Sequence, residues 1–234
     1  MIIDGVEPIK DYVSISPTTI SKRYKVNVYE LIVLWLPFHH IDLVPVHGKK
    51  REVFVDDFLS DKLSEPLTKP LIVRKKLGKI KKISLKPNSM VIRPRPLDYY
   101  RIVYELQTLF TELNNRAKEI IVKLREVRRS KPPDRRRRIL ALRMELIKLY
   151  AGISALKEVF GKEVMERKVV HRIYFKRYVW KPILIALTDD VPLIIDICRK
   201  GLREEPVYSY LMSSESGFLN YLNDLISEFK RSEG

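Results

Sequence analysis

Two consecutive apolar stripes between residues 98 and 161 constrain the fold of this chain more than any other feature. Within each stripe apolar residues recur at steps of three and four, which keeps one face of a helix apolar. The first comprises Ile102, Leu106, Leu109, Leu113, Ala117, Ile120, Leu124 and Val127, and the second Ile139, Leu142, Leu146, Leu149, Ile153, Leu156 and Phe160. Pro132 and Pro133 separate them, and the residue before a proline avoids the helical conformation. The spacing therefore predicts a long antiparallel helical hairpin over residues 98–161.

Basic residues are concentrated at the break between the two stripes. Residues 123–138 contain nine basic side chains and only two acidic ones, Glu126 and Asp134. Cations at a helix N-terminus oppose the helix dipole by roughly 0.3 to 1 kcal/mol each, and a bound anion would reverse that cost. A solvated helix start is the alternative interpretation. The residues expected to bind a polyanion at this tip are Arg125, Arg128, Arg129, Lys131, Arg135, Arg136, Arg137 and Arg138.

The overall charge indicates the class of partner. The 234 residues carry a formal net charge of +16, and self-repulsion of that size costs stability unless an anionic partner is present. Nucleic acid is the first candidate, with DNA favoured over RNA. An anionic membrane is disfavoured, because no predicted helix opposes a basic face to Trp, Phe and Leu. One cysteine, Cys198, fits a reducing compartment, so we expect a cytoplasmic protein without a membrane partner.

The N-terminal region contains a possible DNA-reading unit. Ile20 and Ser21 fit the inward and small positions of a first helix, and Asn27 can cap a second helix that carries Leu31 and Trp35 inward. With this spacing, residues 18–35 resemble the helix-turn-helix of DNA-binding proteins. The β-prone runs 41–45 and 52–55 predict a hairpin that would serve as a wing. A winged-helix-like unit over residues 1–66 follows, and its candidate DNA contacts are Lys22, Asn27, Lys49 and Lys50.

The segment departs from the usual helix-turn-helix pattern in two ways, so an ordinary pair of core helices is the alternative interpretation. Lys25 stands where a glycine is usual in the turn. The presumed recognition helix offers Val28, Ile32 and Val33 where polar residues would read bases.

Residues 67–97 predict a basic connector with short strands. The segment contains no acidic residue, and short apolar alternations are separated by Gly78 and Pro87. Its lysines extend the expected phosphate-binding surface: Lys75, Lys76, Lys79, Lys81 and Lys82.

The rest of the chain, residues 98–234, is predicted to be a helical domain built on the hairpin. Beyond the hairpin, residues 167–185 are β-prone, and helices are expected over 191–200 and 216–230. Aromatic and basic residues alternate over 171–181. A half-buried strand whose aromatic side chains belong to the core is favoured there over a surface that stacks bases.

Catalytic motifs are weak. The histidines lack partners at metal-ligand spacing, and no glycine-rich phosphate loop is present. Asp56 with Asp57, and Asp189 with Asp190, are explained by capping of following helices. We therefore expect no enzymatic activity, no cofactor, no metal site and no small-molecule substrate. A metal-dependent nuclease at Asp56 and Asp57 remains a third hypothesis.

The predicted fold class is α+β and predominantly helical. It comprises the winged-helix-like unit, the basic connector, the long antiparallel helical hairpin and C-terminal helices. The function predicted is non-enzymatic nucleic-acid binding through phosphate contacts from the connector and the hairpin tip. The Asp98, Tyr99, Tyr100 start and the helix lengths over 99–160 resemble subunits of the archaeal GINS replication complex, although the basic charge departs from that family. This resemblance implies the alternative, an architectural subunit of a replication, transcription or ribonucleoprotein complex whose heptad faces bind other proteins.

Overall fold

The computed structural model describes residues 15–63, 65–77, 89–167, 170–197, 203–214 and 216–233. The helices are α1 (Pro17–Tyr24), α2 (Tyr99–Ser130), α3 (Arg135–Phe160), α4 (Lys162–Arg167), α5 (Pro206–Ser214) and α6 (Ser216–Glu233). A short 3₁₀ helix spans Lys69–Ile72. The strands are β1 (Val28–Pro45), β2 (Arg51–Asp56), β3 (Val73–Arg74), β4 (Ser89–Val91), β5 (Val170–Thr188), β6 (Leu193–Asp196) and β7 (Arg203–Glu204).

A curled sheet organises the molecule around the long antiparallel ladder of β1 and β5. The strand order is β3-β2-β1-β5-β6-β7, and β4 lies parallel to β1 beside residues 33–35. The register of the long ladder shifts between His40 and Ile41, whose partners are Arg177 and Phe175. Lys176 is therefore the extra residue of a β-bulge, a feature that bends a strand and increases its twist.

The predicted fold class is wrong. The body of the molecule is this mostly antiparallel sheet, so the protein is α+β and is not a predominantly helical fold built on a hairpin or a coiled coil. Strand β1 near the N-terminus pairs along its whole length with β5, a partner whose sequence lies more than a hundred residues away. Such pairing leaves no local periodicity from which it could be predicted.

The winged-helix prediction is also wrong. The first helix exists as α1, where the Ser16 side chain accepts a hydrogen bond from the Thr19 amide. The presumed recognition helix is instead the first half of β1, because β-branched and aromatic residues suit a sheet buried on both faces. Asn27 caps no helix and donates a hydrogen bond to Asp189 Oδ2. The expected hairpin is confirmed, since Asp42 of β1 pairs with Glu52 of β2.

The C-terminal predictions have mixed outcomes. The β-prone segment forms β5, and the last helix forms as α6. The helix expected over 191–200 is wrong in its described part, because residues 193–196 form strand β6. Asp189 and Asp190 therefore do not begin a helix, and the capping explanation for this pair is wrong.

Helices α2 and α3 form where the heptad stripes predict them, and they pack along each other. The pair runs antiparallel, because Leu113 lies beside Gly152 whereas Arg116, later on α2, contacts Glu145, earlier on α3, with 2.6 Å between Nη2 and Oε1. Asp98 caps α2 by accepting a hydrogen bond from the Arg101 amide, and Lys131 ends it in the left-handed conformation. Most stripe residues of α2 are buried, Ile102 and Val127 are half-buried, and Leu149 of α3 is buried. The heptad faces thus pack within the protein.

Among the described residues, no helix combines the length and the apolar character that crossing a bilayer requires.

Candidate nucleic-acid interface

A dense group of basic side chains lies where α2 ends and α3 begins. We call residues 125–138 the basic end. The opposite ends of both helices are tied to the body, by Lys69 Nζ to Glu105 Oε2 at 2.8 Å and by Lys75 Nζ to Glu158 Oε1 at 3.8 Å. The helix from Glu105 to Ser130 extends roughly 38 Å at about 1.5 Å per residue. The basic end is therefore remote from these attachments.

The cationic side chains of the basic end lie at the surface. Arg125, Arg128, Arg129, Lys131, Arg136, Arg137 and Arg138 are exposed, and Arg135 is half-buried. Among the described residues, Arg138 alone of this set has a carboxylate partner: its Nε donates to Asp134 Oδ2 at 2.7 Å. That hydrogen bond holds the pKa of Asp134 below its usual range. The remaining cations are available to an external anion.

The start of α3 contributes further donors. Asp134 precedes α3 but makes no capping hydrogen bond, and its carboxylate binds Arg138 instead. The first amides of α3 thus lack a side-chain acceptor. An open concavity here is lined by Pro133, Asp134, Arg135, Arg136, Arg137 and Ile139. Arg135 Nε is buried and has no hydrogen-bond partner among the described residues. Arginines and free helix amides at one place favour phosphate oxygens.

The other predicted contact residues lie on different elements. Lys22 is exposed on α1, Lys49 is exposed after the β1–β2 turn, and Lys76 is exposed after β3. Lys50 and Lys75 are paired with Asp42 and Glu158. Lys79, Lys81 and Lys82 lie outside the described residues. Of the residues that the structure describes, Lys22, Lys49, Lys50, Lys75 and Lys76 share no element with the basic end.

Strand β5 presents aromatic side chains that the sequence interpretation placed in the core. Tyr174 and Phe175 are 47% and 43% exposed, beside the bulge at Lys176. Tyr100 of α2 is also exposed, and its hydroxyl accepts a hydrogen bond from the Ile173 amide. The favoured prediction of a half-buried strand is wrong at these two positions. Exposed aromatics beside cations can stack on unpaired bases.

Neither aspartate of the Asp56–Asp57 pair is free to hold an ion. Asp56 Oδ2 accepts from Tyr208 Oη at 2.5 Å, and its Oδ1 caps a turn by accepting from the Leu59 amide. Asp57 binds Arg95 through the backbone amide at 2.6 Å and through Nε at 3.0 Å. Both carboxylates are buried and surrounded by donors. This geometry does not favour the nuclease hypothesis.

The histidines have partners that the sequence interpretation missed. His39 Nδ1 lies 2.7 Å from the Tyr99 hydroxyl, and its Nε2 lies 3.4 Å from Asp57 Oδ2. His40 shares one face of the sheet with Asp42 and Glu52, and one ligand atom of each lies within 4.8 Å of the others. The sequence did contain a sign of this cluster. His40 lies two residues before Asp42 in a β-prone run, and Glu52 lies in the run predicted to pair with it.

Comparison with known proteins identifies no relative: no family model, curated protein or solved structure matches this chain.

Proposed function

We propose that the protein binds the phosphate backbone of nucleic acid through the basic end, without catalysis. The observation that carries this proposal is the set of exposed cations around residues 131–134, of which only Arg138 has a carboxylate partner among the described residues. Residues 28–35 belong to strand β1 and form no recognition helix, so this segment does not support the reading of bases. The expected binding is therefore electrostatic and largely independent of sequence.

The position of the basic end supports binding of an extended polyanion. The acidic residues that tie the helices to the body are roughly 30 Å or more away along the helices, far beyond the Debye length of about 8 Å at physiological ionic strength. The body carboxylates therefore do little to neutralise these arginines. Two packed helices also present two adjacent rows of guanidinium groups, roughly 8 to 10 Å apart between axes. Neighbouring phosphates of a duplex can bind both rows.

The direct test is fluorescence anisotropy with labelled duplex DNA over a series of salt concentrations. The triple variant Arg129→Gln, Arg136→Gln, Arg137→Gln removes three exposed cations from the basic end. If each contacts one phosphate, the slope of log K against log salt falls by roughly three. A parallel titration with duplex RNA measures whether DNA is preferred.

A matched control removes the same charge elsewhere. Arg93, Arg167 and Arg203 are exposed, and no carboxylate among the described residues pairs with them. The control triple to glutamine should leave the salt slope nearly unchanged. An equal loss in both triples, or salt-independent binding by the native chain, contradicts the proposal.

A second function, an architectural subunit, is supported by a different surface. Leu140, Met144 and Ile147 form an exposed apolar stripe on α3 that lies outside the predicted heptad face. Contiguous exposed apolar residues are typical of protein interfaces. Analytical ultracentrifugation with and without DNA distinguishes the two functions. A scaffold subunit alone would self-associate, and a Leu140→Gln, Ile147→Gln variant would be monomeric.

A further inference from the structure

Three potential metal ligands meet on one face of the β1–β2 hairpin. Alternation along β1 places His40 and Asp42 on the same face, and the pairing of Asp42 with Glu52 brings the third side chain beside them. One ligand atom from each residue lies within 4.8 Å of the other two. We propose that His40, Asp42 and Glu52 bind a divalent transition-metal ion, with zinc as the expected ion.

The histidine provides the observation that separates this cluster from an ordinary surface group of acids. His40 is only 6% exposed, and neither ring nitrogen has a hydrogen-bond partner among the described residues. Its Nε2 points toward Glu52, with 3.8 Å between Nε2 and Oε2. A buried imidazole without partners is costly, and such groups are rare in folded proteins. Coordination of a metal would satisfy the ring nitrogen that faces the carboxylates.

Asp42 offers one carboxylate oxygen to the site. The residue is as buried as His40, and its Oδ1 atom makes no hydrogen bond with the described residues, while Lys176 Nζ lies 3.8 Å from it and Lys50 pairs with Oδ2. Glu52 is exposed and can adjust its side chain to complete the site. Two buried ligand atoms without hydrogen bonds thus lie beside one exposed carboxylate.

The packing of His40 holds its ring in a form suited to coordination. The ring stacks on Phe54, with centroids 4.5 Å apart and planes at 22°. This stacking fixes the ring plane while both ring nitrogens remain without hydrogen bonds to the described residues.

Two lysines pair with the carboxylates of the proposed site. Lys50 Nζ lies 2.5 Å from Asp42 Oδ2, and Lys176 Nζ lies 3.1 Å from Glu52 Oε1. One divalent ion carries the charge that these two ammonium groups together supply. Lys50 is about half exposed and can move into solvent. The lysines are therefore competitors, and removal of one should strengthen metal binding.

The donor set selects the class of ion. One imidazole and two carboxylates suit zinc and neighbouring transition metals, whereas calcium and magnesium prefer all-oxygen sites with more ligands. Three protein ligands would leave one tetrahedral position for water or another ligand.

The test is calorimetric titration of the full chain with zinc chloride after treatment with a chelator and dialysis. Cobalt(II) serves as a second probe, because its visible absorption reports tetrahedral coordination. We expect saturable binding with one equivalent. Glu52→Gln changes an exposed side chain and should weaken binding at least tenfold, while circular dichroism verifies the fold. Lys50→Met should tighten binding severalfold.

Two matched controls define the site. Glu112→Gln removes an exposed carboxylate of α2, and His47→Ala removes an exposed histidine from the same hairpin. Both should bind zinc as the native chain does. Absence of saturable binding, equal affinity in the native chain and Glu52→Gln, or an equal loss in His47→Ala would each overturn the assignment. Because no nucleic acid is present, the result is independent of the function proposed above.

Discussion

Lys181 Nζ lies 2.9 Å from Glu205 Oε1, and both side chains are at least 98% buried. The same ammonium lies 3.0 Å from Asp196 Oδ2, and Arg74 Nη1 donates to the same Glu205 oxygen at 2.7 Å. Glu205 Oε2 accepts from the Val207 and Tyr208 amides at the start of α5. The interior cluster thus connects β3, β5, β6 and α5.

Replacement of Lys181 by methionine should destabilise the fold strongly. Methionine retains the apolar length of the side chain but removes one of the two cations that neutralise Glu205. Removing one partner from a buried ion pair costs about 3 to 5 kcal/mol. Urea denaturation measures the free energy of unfolding. Lys49→Met, at an exposed position, is the control and should change it by less than about 0.5 kcal/mol. A loss below about 1 kcal/mol in Lys181→Met would contradict the role of the cluster.

Asp56 should make the native chain less stable as pH rises from 4 to 6. Burial raises the pKa of Asp56 from 3.8 to about 6, although the charge of Arg74 opposes the shift. The folded state therefore binds this proton more tightly than the unfolded state, and the stability that it contributes below pH 4 is lost as pH rises through 6. The loss is on the order of 2 kcal/mol.

Glu205 acts in the opposite direction at lower pH. The charges of Arg74 and Lys181 outweigh burial and lower the pKa of Glu205 from 4.5 to about 2, so its contribution to stability is present above pH 4.5 and is lost on acidification.

Urea denaturation at several pH values separates the effect of Asp56 from that of Glu205. Asp56→Asn should remove the decline between pH 4 and 6, whereas the exposed control Asp224→Asn should retain it. An unchanged decline in Asp56→Asn would show that another group causes it.

Tyr99→Phe should loosen the attachment of α2 to the sheet. Burial raises the pKa of Tyr99 to about 12, so the hydroxyl stays protonated at neutral pH and can donate to His39 Nδ1 at 2.7 Å. Loss of this hydrogen bond, which leaves a buried nitrogen unsatisfied, should cost about 1 to 2 kcal/mol. Hydrogen exchange should accelerate at the start of α2. Tyr104→Phe, on an exposed side chain of the same helix, should change neither quantity.

Two neighbouring positions on α3 test which face packs. Leu149 is 1% exposed and Ile147 is 61% exposed. Leu149→Ala should cost about 2 to 5 kcal/mol through the cavity that it leaves, whereas Ile147→Ala should cost less than about 0.5 kcal/mol. Thermal and urea unfolding measure both changes. Similar costs would mean that the exposed stripe is buried in solution, as self-association through this face would require.

The features predicted correctly are those with local causes. Helices α1 and α2 begin after Ser16 and Asp98, whose side chains accept hydrogen bonds from amides three residues later. The gap between α2 and α3 follows from Pro132 and Pro133. The β1–β2 hairpin follows from two β-prone runs around a short turn. In each case the decisive residues are close together in the chain.

The first half of β1 shows why the fold class could not be predicted. Its residues are apolar at almost every position, and such a run fits a buried helix as well as a strand buried on both faces. Pairing with β5 decides between them. The candidate sites follow the same rule: position in the chain does not distinguish Lys181, which is buried among carboxylates, from Arg128, which is exposed.

The amino-acid sequence alone determined the large positive charge, the heptad helices and the cationic break between them, because these depend on composition and on contacts within a few turns of chain. Only the tertiary structure decided the sheet, the meeting of His40 with Glu52, and which cations stay at the surface. The physical reason is that these features depend on side chains brought together from distant segments, and burial sets the cost of each unpaired charge.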